Sequence, residues 1–168
     1  MAHTLVTQLH FARSEFVRCL QDTPPEDAAR RLGQMNCLSW IVGHLAAQEQ
    51  WLWVMHAQGK ILFPDLYLKV GYGQPPSTPD WAEMWQVWRT ITAAADSYLD
   101  TLDPELLRAH LESKGIILEE SVGVSLLRNI YHYWFHLGEA HAIRQMLGHQ
   151  RLPDFVGNMA MVSYGEEG

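Results

Sequence analysis

"YHYWFHLGEAH", residues 131–141, sets three histidines into eleven positions of a strongly apolar stretch. Two of them, His132 and His136, are four residues apart. At about 100° per residue, positions four apart project from one stripe of a helix, one turn apart. His141 lies about 180° away from His132 and falls on the opposite, wetter face. A core has little use for imidazole, because each buried ring nitrogen needs a partner, whereas a metal site uses it directly. The surrounding apolar run, "VSLLRNIYHYWFHLGEAHAIRQML", predicts a long helix from near Ser121 to Gly148, with Pro153 beyond it as a stop.

Upstream, the same helical period recurs. Leu5, Leu9, Ala12, Phe16, Val17 and Leu20 are spaced by threes and fours and predict a first helix from about Thr4 to Gln21, ended by Pro24 and Pro25. Asn36 reads as the N-cap of a second helix, "CLSWIVGHLAAQEQWLWVMHAQ", which stops near Gly59 and is apolar on most sides. Residues 60–79 carry four prolines and two glycines, a composition that suits a long crossover rather than a helix. In "STPDWAEMW", Ser77 or Thr78 can cap a third helix, with Pro79 in its first turn, running to about Leu99. A short helical turn at "DPELL" and a small hairpin about Lys114-Gly115 follow. The expectation is an all-α fold, a four-helix bundle with a long crossover between the second and third helices, formed as one domain over residues 1–168.

Composition narrows the function. A net charge of −7 with twelve scattered Lys and Arg argues against nucleic acid, whose phosphates demand clustered cations. No apolar run reaches the roughly 20 residues of a membrane span, and the N-terminus lacks a basic start followed by an apolar block. Cys19 and Cys37 have no CxxC spacing and read as buried free thiols. These features together predict a cytoplasmic protein with no membrane and no nucleic-acid partner.

The His132–His136 pair can chelate one divalent metal from a single helix, the alternative being two surface or capped histidines. It resembles the paired histidines of the HExxH helix of zinc proteases, without that motif's glutamate. A third ligand must come from another helix, and His44, in "SWIVGHLAAQEQWLW", is the candidate. It is set deep in an apolar helix between Trp40 and Trp51, where an unbonded imidazole is costly.

The order of "SWIVGHLA", a long crossover, and "HYWFHLGEAHAIRQMLG" leading into a proline-containing tail resembles the DinB-like superfamily. That group comprises four-helix-bundle proteins related to bacterial thiol S-transferases, and the resemblance spans essentially the whole chain. It implies that His44, His132 and His136 bind one divalent ion, zinc or nickel, with positions left open for substrate. Three neutral imidazoles with an open position are the arrangement of a catalytic rather than a structural site. Such an ion lowers the pKa of a bound water or thiol. The resemblance therefore implies either transfer of a small thiol such as bacillithiol or mycothiol to an electrophile, or hydrolysis, against a non-catalytic metal-binding bundle tied to stress.

Other residues divide between chemistry and packing. Glu139, one turn past His136, can orient a ligand or act as a general base, though a carboxylate near a helix end is more often solvated. Gln48, one turn past His44, can reach substrate or a ligand's second nitrogen. Trp81, Trp85 and Trp88 read as core, or as a pocket wall beside the metal. His10 stays outside the metal shell. The pocket mouth is expected from the crossover and from the tail after Gly148, with Lys60, Lys69, Arg144 and Arg151 as available cations. Trp51 and Trp53, about 200° apart on a helix, cannot share a face. One of them must meet either the crossover or a partner chain, and the expectation is a homodimer packed through bundle helices.

Overall fold

A computed structural model describes residues 3–154 and 156–159. Its helices are α1 (Thr4–Leu20), α2 (Pro25–Ala28), α3 (Leu38–Glu49), α4 (Leu66–Val70), α5 (Trp81–Leu99) and α6 (Val122–Met146). A π-helical segment, Gln50–His56, continues α3, and a 3₁₀ turn, Leu106–Arg108, precedes a hairpin of β1 (His110–Ser113) and β2 (Ile116–Ser121). The four long helices α1, α3, α5 and α6 form the bundle, with α1 packed on α6, α3 on α5, and α3 also on α6. The hairpin is a minor addition to an all-α architecture.

Each helix forms where local chemistry permits, and several boundaries differ from the sequence expectation. The buried stripe of α1 runs Val6, Leu9, Ala12, Phe16 and Leu20, while Val17 points outward. The N-cap of α1 is His3, whose Nδ1 accepts from Leu5 N at 3.2 Å. α3 starts after Cys37 rather than Asn36, with no side-chain cap, because the fully buried Cys37 is the extended residue that turns into the helix. α5 is capped by Asp80, whose carboxylate accepts from Glu83 N at 2.7 Å, so Ser77 and Thr78 do not cap and Pro79 lies outside the first turn. A carboxylate there also complements the helix dipole, which a hydroxyl does not.

The crossover is not helix-free. Between Pro64 and Gly71 it winds one short helix, α4, whose Leu66 and Val70 are buried. It packs closely on α3 at Gly43, where a Cβ would stand 3.1 Å from Val70 Cγ1 of α4 and 2.6 Å from Met84 Sδ of α5, so both neighbours would have to give way. The crossover is also tied directly to the π segment. Gln50 Oε1 accepts from Leu62 N at 3.0 Å and Phe63 N at 2.8 Å, and its Nε2 donates to Phe63 O at 2.9 Å.

Sequence periodicity does not reveal the polar centre of the bundle. Glu49 is fully buried. Arg13 of α1 grips its carboxylate through both Nε, at 2.8 Å, and Nη2, and donates from Nη1 to Asp96 of α5 at 2.6 Å. Tyr133 of α6 donates to Glu49 Oε1 at 2.6 Å and accepts from Trp88 Nε1 of α5 at 2.7 Å. All four long helices therefore meet in one network. Burial pulls the Arg13 pKa down, but Glu49 beside it more than offsets this and the guanidinium stays charged. Burial, reinforced by Glu49, likewise raises the Tyr133 hydroxyl well above its ordinary pKa, so it stays a donor.

Removing one partner of such a pair strands the other charge, so Glu49→Ala should lower unfolding free energy by about 3–5 kcal/mol. The double replacement Arg13→Met/Glu49→Leu should recover much of that loss, since an apolar pair of similar volume leaves no charge stranded. Urea denaturation followed by circular dichroism measures both, and a single variant as stable as the parent would contradict the network's role.

Candidate metal centre

The three histidines singled out by the sequence converge. His44 Nε2 stands 3.2 Å from His132 Nε2, and His136 Nε2 stands 3.0 Å from His132 Nε2. The candidate ligand atoms all lie within 4.8 Å of one another. For bonds of about 2.0–2.1 Å in a tetrahedron, adjacent ligand atoms stand about 3.3–3.4 Å apart, so the spacing fits one zinc-sized ion. α3 and α6 supply the atoms because they are packed neighbours, as the sequence reading required.

The outer partners decide which nitrogen faces inward. His44 Nδ1 donates to the Val70 carbonyl at 2.8 Å. His132 Nδ1 donates to Gln48 Oε1 at 2.7 Å, and His136 Nδ1 to Glu139 Oε2 at 2.7 Å. A carbonyl, an amide oxygen and a carboxylate can only accept, so each Nδ1 carries the proton and each Nε2 presents its lone pair in the neutral ring. Three lone pairs this close, with His132 Nε2 at 3.2 and 3.0 Å from the other two, have no proton to share between them. A cation resolves that repulsion, which makes the donor set itself an argument for a metal.

Gln48 is fixed in turn. Its Oε1 also accepts from Asn129 Nδ2 at 3.0 Å, and Asn129 Oδ1 accepts from the buried Trp53 indole at 2.8 Å. Trp40 stacks on His44 with ring centroids 4.4 Å apart and planes 14° from parallel. Glu139 and Gln48 thus each hold one of the imidazoles in place. With its Oε2 bound to His136, Glu139 is not placed as a free base in the groove.

Burial discourages protonation of the ligands. It lowers the pKa of His44 to about 4, against the hydrogen bond to Val70 and with the neighbouring His136 imidazole adding to the effect. Burial, with His136 and then His44, lowers that of His132 to about 3. Both rings are therefore neutral, and available to a metal, well below pH 7.

A groove of about 1180 Å³ opens over the site, with His44, Gln48 and His132 in its floor. Its rim comprises the crossover residues Tyr67, Gly71 and Tyr72, the π-helical Trp51, and one face of α6 from Val124 to Phe135. The crossover contributes as expected, but among the described residues the tail does not. Instead it docks on α1, where Asp154 O accepts from Arg18 Nη2 at 2.6 Å and Gly157 N donates to Glu15 Oε2 at 2.8 Å. None of Lys60, Lys69, Arg144 and Arg151 lines the groove. Lys69 pairs with Glu83 at 2.9 Å, and Arg144 is spent on the last carbonyls of α1, at Cys19 and Gln21. The cation that does line it is Arg128, which the sequence reading passed over. Its signal was a stripe, Val124, Leu127, Arg128, Tyr131 and Phe135, running beside His132 at steps of three and four.

The sequence profile of the DinB superfamily matches residues 8–140, a span that includes all three histidines. The chain belongs to the DinB superfamily. No curated protein sequence matches it. The remaining sequence candidates fall into structural roles. Trp88 is core, while Trp85 packs on Phe16 with centroids 6.0 Å apart and lines a separate cleft with Trp81 and Val17, away from the histidines. His10 pairs with Asp96 at 3.1 Å, and His141 lies with the tail. Cys19 and Cys37 are buried free thiols, and no described helix is long and apolar enough to cross a membrane.

Two measurements test the site. Replacing an outer partner of a metal-bound histidine weakens metal affinity about 10–100-fold, so Gln48→Leu should show that loss in competition with a chromophoric chelator. Acid gives the second. The unfolded chain takes up protons on His44 and His132 below their ordinary value of 6.5, while the folded rings resist until about 4 and 3. Metal-free protein should therefore lose stability steadily as pH falls from 6.5 toward those values, and His132→Leu should flatten the slope. Urea midpoints in chelator at a series of pH values report it.

Proposed function

We propose that this protein is a metal-dependent thiol S-transferase, holding one divalent ion, zinc or nickel, through Nε2 of His44, His132 and His136. An ion in that setting supplies Lewis-acid activation, lowering the pKa of a thiol placed at its open position. The observation that carries the choice of thiol over water is the lining of the groove. Among the described residues it contains no aspartate and no glutamate. Metal-bound water can ionise near pH 7, but a hydrolase still benefits from a base to shuttle protons between the attacking water and the leaving group. A thiol begins near 8.5 and needs far less help.

The chain's own residues then have defined tasks. Val70, Gln48 and Glu139 hold the imidazoles in one tautomer and orientation. Trp40 stacks on His44 and shields that ring from water. The open groove admits both reactants and carries the thiol proton away to solvent. The sulfur–carbon bond forms as the bond from that carbon to its leaving group breaks, and the leaving group departs with the electron pair.

Of the two tryptophans that cannot share a helix face, Trp51 is 45% exposed and lines this groove, while Trp53 is fully buried. The dimer is therefore a separate proposal, to be settled by light scattering. Protein supplied with zinc or nickel, incubated with bacillithiol, mycothiol and glutathione in turn and an electrophile, should release an S-conjugate detectable by mass spectrometry. His44→Ala should reduce the rate to the uncatalysed background. Substrate hydrolysis with no thiol consumed would contradict the proposal.

A further inference from the structure

The walls of the groove are more apolar than its solvent exposure warrants. On one side Leu127, Tyr131 and Phe135 recur every four residues along α6, beside His132. Facing them are Trp51 from the π segment, Tyr67 from α4 and Tyr72 just after it. Phe135 is 70% exposed, Tyr131 63% and Tyr72 85%. Rings of this size gain most by burial, and a cluster of them left in water around one concavity marks a surface that a ligand covers.

Size and charge narrow the ligand. A pocket for one drug-sized molecule measures about 300–1000 Å³, so a space of about 1180 Å³ accommodates a small thiol and a second reactant together. The one cation among the described lining residues is Arg128. Its Nε donates to both carboxylate oxygens of Glu120, at 2.9 and 2.8 Å, and its Nη2 adds a further contact. Arg128 is thereby neutralised, and the lining holds no acid of its own. Along the walls, away from the cation proposed at the floor, an ionised ligand finds neither a free counter-charge nor compensation for its lost hydration, whereas an uncharged ring system meets aromatic faces on both sides.

We infer that the groove binds an uncharged aromatic molecule between Trp51 and the Tyr131–Phe135 stripe. This molecule is the electrophile of the proposed thiol transfer, so its role as acceptor rests on that reading while its chemistry rests on the groove alone. The reactive carbon is the part directed toward His44 and His132 in the floor, and the ring system lies along the walls.

The test uses N-phenyl-1-naphthylamine, an uncharged fluorescent aromatic, titrated into the whole protein with equimolar zinc. One saturable site is expected. Trp51→Ala and Phe135→Ala, truncations of largely solvent-facing rings, should each weaken it at least about tenfold, the scale of one aromatic side chain's burial. Trp85→Ala, in the separate tryptophan cleft, should change it less than about twofold. The anionic relative 8-anilinonaphthalene-1-sulfonate should bind at least about tenfold more weakly. Circular dichroism establishes that each variant is folded. Absence of a saturable site, indifference to both groove truncations, or equal affinity for the anionic relative would overturn the inference. So would light scattering showing that Trp51→Ala converts a dimer to a monomer, because a second copy would then be the cover. If the probe binds as expected but no thiol is ever transferred, the aromatic site stands and the transferase proposal falls.

Discussion

The buried ion pair between Arg13 and Glu49 is the constraint on which the rest depends. A carboxylate with no exposed surface is tolerable only where its lone pairs are filled, and here three donors from α1 and α6 fill them. α5 joins through Asp96 and Trp88. Apolar packing tolerates sliding of one helix along another by a fraction of a turn, whereas a bidentate guanidinium does not. Glu49 therefore fixes the height of α3 against its three neighbours. Gln48 precedes it in the chain and His44 lies little more than a turn earlier, so the network that locks Glu49 also sets where those two side chains meet α6.

From that fixed height the candidate metal centre follows as a set of forced choices. α6 offers two imidazoles on one stripe, α3 offers a third, and an acceptor behind each ring turns its Nε2 inward. The crossover takes part as well as covering the bundle, because the acceptor behind His44 is the carbonyl of Val70 in α4. Immediately after Glu49 the helix widens into its π segment, a feature often found beside functional sites. There Trp53 enters the core and anchors Asn129, while Trp51 turns to the groove. One stretch of α3 and its continuation thus contributes to the bundle's polar centre, the histidine cluster and a groove wall.

Much of this was legible in the sequence because it is periodic. The long helices announce themselves through apolar residues at three- and four-residue steps, and His132 and His136 stand out because imidazoles are expensive in such a run. What remained hidden depends on partners distant in the chain. Arg13 and Glu49 are 36 residues apart, and each alone reads as an ordinary surface charge. The π segment is set by hydrogen bonding that residue type does not encode, and α4 is too short for periodicity to detect between Pro64 and Gly71. The caps were misread for a related reason. Ser77, Thr78 and Asp80 are all capping residues in type, and only the path of the chain selects Asp80. Gln48 and Glu139 were visible as neighbours of the ligands, but their roles as orienters required the geometry of the rings they hold.

The central claim is that three imidazoles on two helices hold one ion with a position left open. X-ray absorption at the zinc edge of the zinc-loaded protein tests it most directly. The account predicts a first shell of three imidazole nitrogens at about 2.0–2.1 Å with one further light-atom ligand, and loss of one imidazole in His44→Ala. A first shell with fewer than three imidazoles, or one unchanged by that substitution, would contradict it.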